Sequence, residues 1–105
     1  MHRWSTVDAR VEWLAKCTAS LRALLLADRW GHEPEALVRD ALRRMKNAGR
    51  DVSRDLDDFT DVMPDALHTR ALRAAVDADF AWCEARRWLR TNGPVREAMA
   101  RGEHG

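Results

Sequence analysis

The chain has no tyrosine, only two phenylalanines and two cysteines, and just five glycines and three prolines in 105 residues. β-Branched residues are few and no stretch alternates apolar with polar, which excludes a sheet as the organising layer. Two cysteines, Cys17 and Cys83, do not make a disulfide framework; they fit a reducing, cytoplasmic setting with two partly buried thiols. The most apolar run, Ala23 to Ala27, is far too short to span a bilayer, so no membrane association is expected. Met1 to Glu12 carries no apolar stretch of the signal-peptide kind. Lysine is scarce too: all but Lys16 and Lys46 of the 18 basic residues are arginine. Against them stand 17 acidic residues, and a net charge of +1 sets up no global field toward nucleic acid.

What the chain does have is helical periodicity. From Pro34 to Met63, apolar residues recur at Val38, Leu42, Met45, Val52, Leu56, Phe59 and Met63, with Gly49 the one gap in a 4-3-4-3 seam. Asn47-Ala48-Gly49 is the weak point, since Asn and Gly both disfavour a helix interior, Gly by roughly 1 kcal/mol against Ala. This predicts a helix kinked or broken near Gly49. Upstream, Ser5-Thr6-Val7-Asp8 fits a capping box with Asp for Glu, opening a helix to about Arg29. Its seam is Trp4, Val7, Val11, Leu14, Thr18, Leu21 and Leu25, with Trp13 and Cys17 widening the stripe; Trp13, like Trp82 further on, sits near a seam and is expected in the core. Gly31 suits the break and Pro34 the first helical position. Met63-Pro64 closes the middle segment. A third helix follows to about Thr91, with small inward residues (Leu67, Ala71, Ala74, Ala78, Ala81, Ala85) flanked by Leu72, Val76, Phe80, Trp82, Trp88 and Leu89.

Three rods of about 25–29 residues would each measure roughly 38–43 Å. The expected fold is all-α, an antiparallel three-helix bundle forming a single domain over residues 1–105; a true corner at Gly49 would give a four-helix bundle instead. Asn92-Gly93 is expected to cap the third helix, with Pro94 opening a short helix to Arg101 and Gly102 to Gly105 fraying, so that 92–105 forms a short helix and tail.

Folded antiparallel, the charges are expected to sort by end. One tip gathers Arg22, Arg29, Arg39, Arg43, Arg44, Arg86, Arg87 and Arg90; the other gathers Asp51, Asp55, Asp57, Asp58, Asp61 and Asp65 with Asp8 and Glu12. Trp30 and Trp88 fall at the basic tip. Arginine beside tryptophan holds phosphates and stacks bases, and equally makes hot spots for protein partners. Arg39, Arg43, Arg44, Arg86, Arg87, Arg90, Trp30 and Trp88 are therefore the candidate binding residues. Arg70 is placed to meet Asp57 across the second and third helices.

Catalysis has little support. Asp57-Asp58-Phe59-Thr60-Asp61 resembles the DDxxD string with which all-α isoprenoid synthases hold Mg²⁺, but that family needs a much longer chain and a second acidic motif. All-α nucleotide pyrophosphohydrolases use paired glutamates on two helices, and Asp77, Asp79 and Glu84 are wrongly spaced for that. His2, His32, His68 and His104 form no metal pattern, no base is placed beside either thiol, and there is no Gly-rich phosphate loop. The expectation is a non-catalytic protein with no catalytic residues, no metal and no cofactor. It would be a small helical subunit or regulator docking through the Arg/Trp tip into a larger, nucleoprotein complex, with RNA or DNA backbone or an acidic protein as partner. In shape and charge layout it is similar to small helical subunits of CRISPR effector complexes. The second reading is a protein-directed adaptor, immunity protein or inhibitor such as a phage-encoded antagonist; the third is a Mg²⁺-dependent phosphohydrolase. A homo-oligomer is compatible with all three.

Overall fold

A computed structural model describes the backbone of residues 4–26 and 34–100, and side chains over 4–26 and 35–91. Arg29, Trp30, Gly31, His32 and the tail Gly102–Gly105 lie outside the described residues. The described chain forms three helices, α1 (Ser5–Leu26), α2 (Pro34–Phe59) and α3 (Asp65–Ala100), and all three pack against one another. This is the expected all-α three-helix bundle, drawn out to 59 × 21 × 17 Å.

The seams read from the sequence form the core. Val7, Val11, Leu14, Cys17 and Leu21 of α1 meet Val38, Met45, Ala48 and Val52 of α2 and Leu67, Ala71, Ala78, Ala81 and Ala85 of α3. Leu14 and Leu21 are fully buried, each contributing about 1.5–3 kcal/mol by leaving water. Thr18 joins this core because its hydroxyl donates to the Leu14 carbonyl at 2.9 Å, which removes the cost of burying it.

Several expectations are corrected. α2 is continuous through Asn47-Ala48-Gly49, so the break and the four-helix arrangement do not occur. Burial explains this: Ala48 is in the core and Gly49 faces Leu14, so tertiary packing outweighs a propensity deficit of about 1 kcal/mol. The first intrahelical bond of α1 runs from the Asp8 N–H to the Trp4 carbonyl at 2.9 Å, which makes Trp4 rather than Ser5 the cap. At the other connection Met63 donates to the Phe59 carbonyl at 2.8 Å, and Pro64 accepts from the His68 N–H at 2.9 Å to open α3. The rods are unequal: α1, α2 and α3 have 22, 26 and 36 residues. α3 does not stop at Asn92-Gly93, because Pro94 deletes a single N–H and the bonds on either side carry the helix to Ala100.

Candidate functional site

The tip-to-tip segregation of charge is diluted by ion pairs. At the arginine-rich end, Asp40 accepts from both Arg43 and Arg44, the latter at 3.0 Å. Arg22 reaches across to α3, donating to Asp77 at 2.6 Å and Glu84 at 3.3 Å. Those two carboxylates hold the Arg22 pKa up, the Asp77 hydrogen bond most of all. At the aspartate-rich end Arg10 donates to Asp55 at 2.7 Å, and Arg70 pairs with Asp8 of α1 rather than with Asp57. Asp55 is 3 % exposed and its second carboxylate oxygen has no hydrogen-bond partner among the described residues. The hydrogen bond to Asp55 and its charge raise the pKa of Arg10.

Of the candidate binding residues, Arg39, Arg43, Arg44, Arg86, Arg87 and Arg90 are all exposed. Trp88 is half-buried against the core. Trp30 lies outside the described residues. The fold brings only some of these together. Arg39 and Arg43 line a shallow groove of 230 Å³ along α2 that continues past Lys46, Asn47 and Arg50. Arg44 turns to the other side of α2, into a groove against α1.

The larger concavity lies between α2 and α3. It is 650 Å³, floored by Gly49, Ala75 and Ala78, with Lys46, Arg50 and Arg54 along one side and Trp82 and Asp79 on the other. It exists because its floor carries hydrogens and methyl groups where most helix pairs carry branched side chains. Lys46 and Arg50 line both grooves, so Arg39, Arg43, Lys46, Arg50 and Arg54 form one row. Spaced by three or four residues, that row runs roughly 22 Å along a helix. Trp82, expected in the core, packs against it with part of its ring system and forms the half-buried wall of the groove with the rest. The Arg86 guanidinium sits 4.8 Å and the Lys46 ammonium 5.9 Å from its ring centroid. A ring orients a cation through its quadrupole without cancelling its charge. Among the described residues Lys46, Arg50, Arg54 and Arg86 form no ion pair. Asp57 and Asp58 close the far end of the groove.

The sequence reading passed over Lys46, Arg50, Arg54 and Trp82. The signal was present in the 3-4 spacing of 39, 43, 46, 50 and 54, the same periodicity used for the core but applied to charge. The α1/α2 groove, 540 Å³, is different in kind: Trp13, Cys17, Leu24, Leu37 and Ala41 line it, and its charges, Asp40 and Arg44, are paired to each other. Trp13, also expected in the core, is 55 % exposed there. Cys17 is buried and Cys83 exposed, so only one thiol is sheltered. Burial pushes the Cys17 thiol pKa up, and Arg44 draws it only partly back.

No group of three or more His, Cys, Asp or Glu side chains among the described residues is arranged to hold a metal ion. None of the described helices is long and apolar enough to cross a membrane. No protein-family model, curated protein or solved structure matches the chain.

Proposed function

We propose that this is a non-catalytic, cytoplasmic binding protein, a small helical subunit that docks onto a nucleic-acid backbone within a larger complex. The observation that carries this reading is the unpaired cation row Lys46-Arg50-Arg54 beside Trp82 and Arg86. Cations that already hold a carboxylate must give it up to bind a phosphate; these need not. The row reads no bases. It would track phosphates, while Asp57 and Asp58 repel a chain that strays toward the aspartate-rich end and Asp79, across the groove, keeps it on the cation side. Relative to the tip suggested by the sequence, the contact shifts from the ends of the helices to the flank of α2.

The test is fluorescence anisotropy with generic single-stranded and duplex DNA and RNA across a salt series. Four phosphates engaged on a single strand give a slope of log K against log salt of about −3. Absence of binding at low salt removes the proposal. The exposed Trp13 beside Leu37 in the α1/α2 groove favours the protein-directed adaptor as second reading, and a pull-down lost with Trp13→Ala but kept with Arg50→Glu would select it.

A further inference from the structure

α3 is apolar on two opposite faces. Its inner face is alanine, Ala71, Ala78, Ala81 and Ala85, all buried. On the outer face Leu72, Val76 and Phe80, expected to flank the seam, are 44, 53 and 64 % exposed, and Cys83 is exposed with them. At 3.6 residues per turn, 72, 76, 80, 83 and 87 fall within about 80° of one another. Leu67, Trp82, Trp88 and Leu89 pack on the bundle's core, but Leu72, Val76 and Phe80 point away from it. A contiguous apolar stripe on a helix is normally covered.

The outer stripe extends in both directions with the spacing of a second helix–helix seam: Asp65, Thr69, Leu72, Val76, Phe80, Cys83, Arg87, Arg90. It is acidic at one end, apolar in the middle and basic at the other. A surface with that order is complementary to itself when reversed. We propose that the outer face of α3 binds a second copy of this chain, antiparallel, about a two-fold axis near Val76. In that register Leu72 faces Phe80 of the second copy, Thr69 faces Cys83, and Asp65 faces Arg87. A parallel pairing sets arginine on arginine and aspartate on aspartate. The apolar part of the seam, Leu72 to Cys83, spans less than two heptads, and the Asp65–Arg87 pairs at its two ends set the direction and register of the pairing. A two-fold pair keeps corresponding flanks on the same side, so the two α2/α3 grooves come to lie next to each other.

The test is light scattering on size-exclusion chromatography and sedimentation velocity, without nucleic acid, across a concentration series. The expected mass is twice the 12.0 kDa of one chain. Val76→Asp sets two carboxylates together on the axis and returns the mass to a single chain; Val76 is exposed, so circular dichroism stays that of the wild type. Asp65→Arg and Arg87→Asp each reduce the dimer, and the double exchange restores it. The Cys83 thiol is alkylated more slowly as concentration rises. A wild-type chain that stays monomeric at every concentration overturns the proposal and leaves the stripe to a different protein. A dimer insensitive to Val76→Asp overturns it as well, and failure of the double exchange to restore pairing overturns the antiparallel register. None of these readouts depends on whether the cation row binds nucleic acid.

Discussion

α2 offers one groove to α1 and another to α3, and the two differ less in size than in what their charges are doing. Toward α1, Arg44 is held by Asp40, and the remaining lining is uncharged and, apart from Ser20, largely apolar. Toward α3, Lys46, Arg50 and Arg54 line an open groove with small side chains at its base and no carboxylate joined to them. A single helix therefore carries a neutralised Arg44 on one flank and, on the other, the unneutralised Lys46, Arg50 and Arg54, beyond an Arg43 that Asp40 also holds. Composition cannot express this difference. What decides whether an arginine is available is the carboxylate within 4 Å of it, and exposed pairs of that sort, worth about 0–1 kcal/mol, matter more for availability than for stability.

The largest effect expected from breaking this asymmetry is on binding. Lys46→Glu/Arg50→Glu/Arg54→Glu should abolish nucleic-acid affinity, at least about 100-fold at low salt, because three phosphate contacts become repulsions. Arg44→Glu, on the opposite flank, should change affinity less than about threefold. Anisotropy titration of both variants and of the charge-matched single variant Arg50→Glu, each checked for wild-type helicity, measures the contrast; equal losses for Arg50→Glu and Arg44→Glu would mean that net charge matters and position does not.

A second, smaller effect concerns the one acidic residue among the described residues that is buried as a whole. Asp55 is buried on the α1 side of α2, and Arg10 is its only ion-pair partner among the described residues. Arg10→Met should lower the urea midpoint by stranding that charge. Adding Asp55→Leu should recover the loss, by about 1–3 kcal/mol, since an apolar pair needs no desolvation. A single variant as stable as wild type would show that water already serves Asp55.

Much of this architecture could be read from the chain. The 3-4 spacing of Val7, Val11, Leu14 and Leu21 and of Val38, Met45 and Val52 identified the inward faces, because a core needs only periodicity to be seen. The break foreseen in α2 does not occur because propensity is local and Gly49 is settled by Leu14, a residue of another helix. Trp13 was misplaced for the opposite reason: it sits at the margin of a seam, where a rotation of one residue decides between core and surface, while Trp82 packs against the core as expected. The site was half legible. Arginine density near the α1–α2 connection pointed to α2, and the i,i+3 and i,i+4 spacing of Asp40 to Arg43 and Arg44 already marked those two as paired; the Arg22 pairs with Asp77 and Glu84 cross between helices and leave no mark on sequence spacing.

Gly49 offers a third test, smaller again. A methyl group there would meet Leu14 Cδ1 at 3.9 Å, an ordinary contact. Gly49→Ala should therefore raise stability by up to about 1 kcal/mol through helix propensity and lower entropy of the unfolded chain. The same methyl narrows the floor of the α2/α3 groove, so a stability gain with unchanged affinity would say that the ligand rides on the rim, and a gain with weakened affinity that it enters the floor. Thermal melting and anisotropy on one variant read both.

The smallest effect tests the apolar groove. Cys17 lines it, and burial raises its thiol pKa above the ordinary 9.0 despite the pull of Arg44. Arg44 is a weak competitor because Asp40 already answers its charge. Between the unfolded and folded pKa values the unfolded chain has released a proton that the folded chain keeps, so ν_U − ν_N is negative and stability falls as pH rises. The loss begins near pH 9 and levels off above the folded pKa. Urea midpoints at about pH 8 and about pH 10 should therefore differ more for wild type than for Cys17→Ala. If Asp40→Asn shrinks that wild-type difference, the freed Arg44 has begun to stabilise the thiolate, and the neutrality of this groove is traced to a single carboxylate.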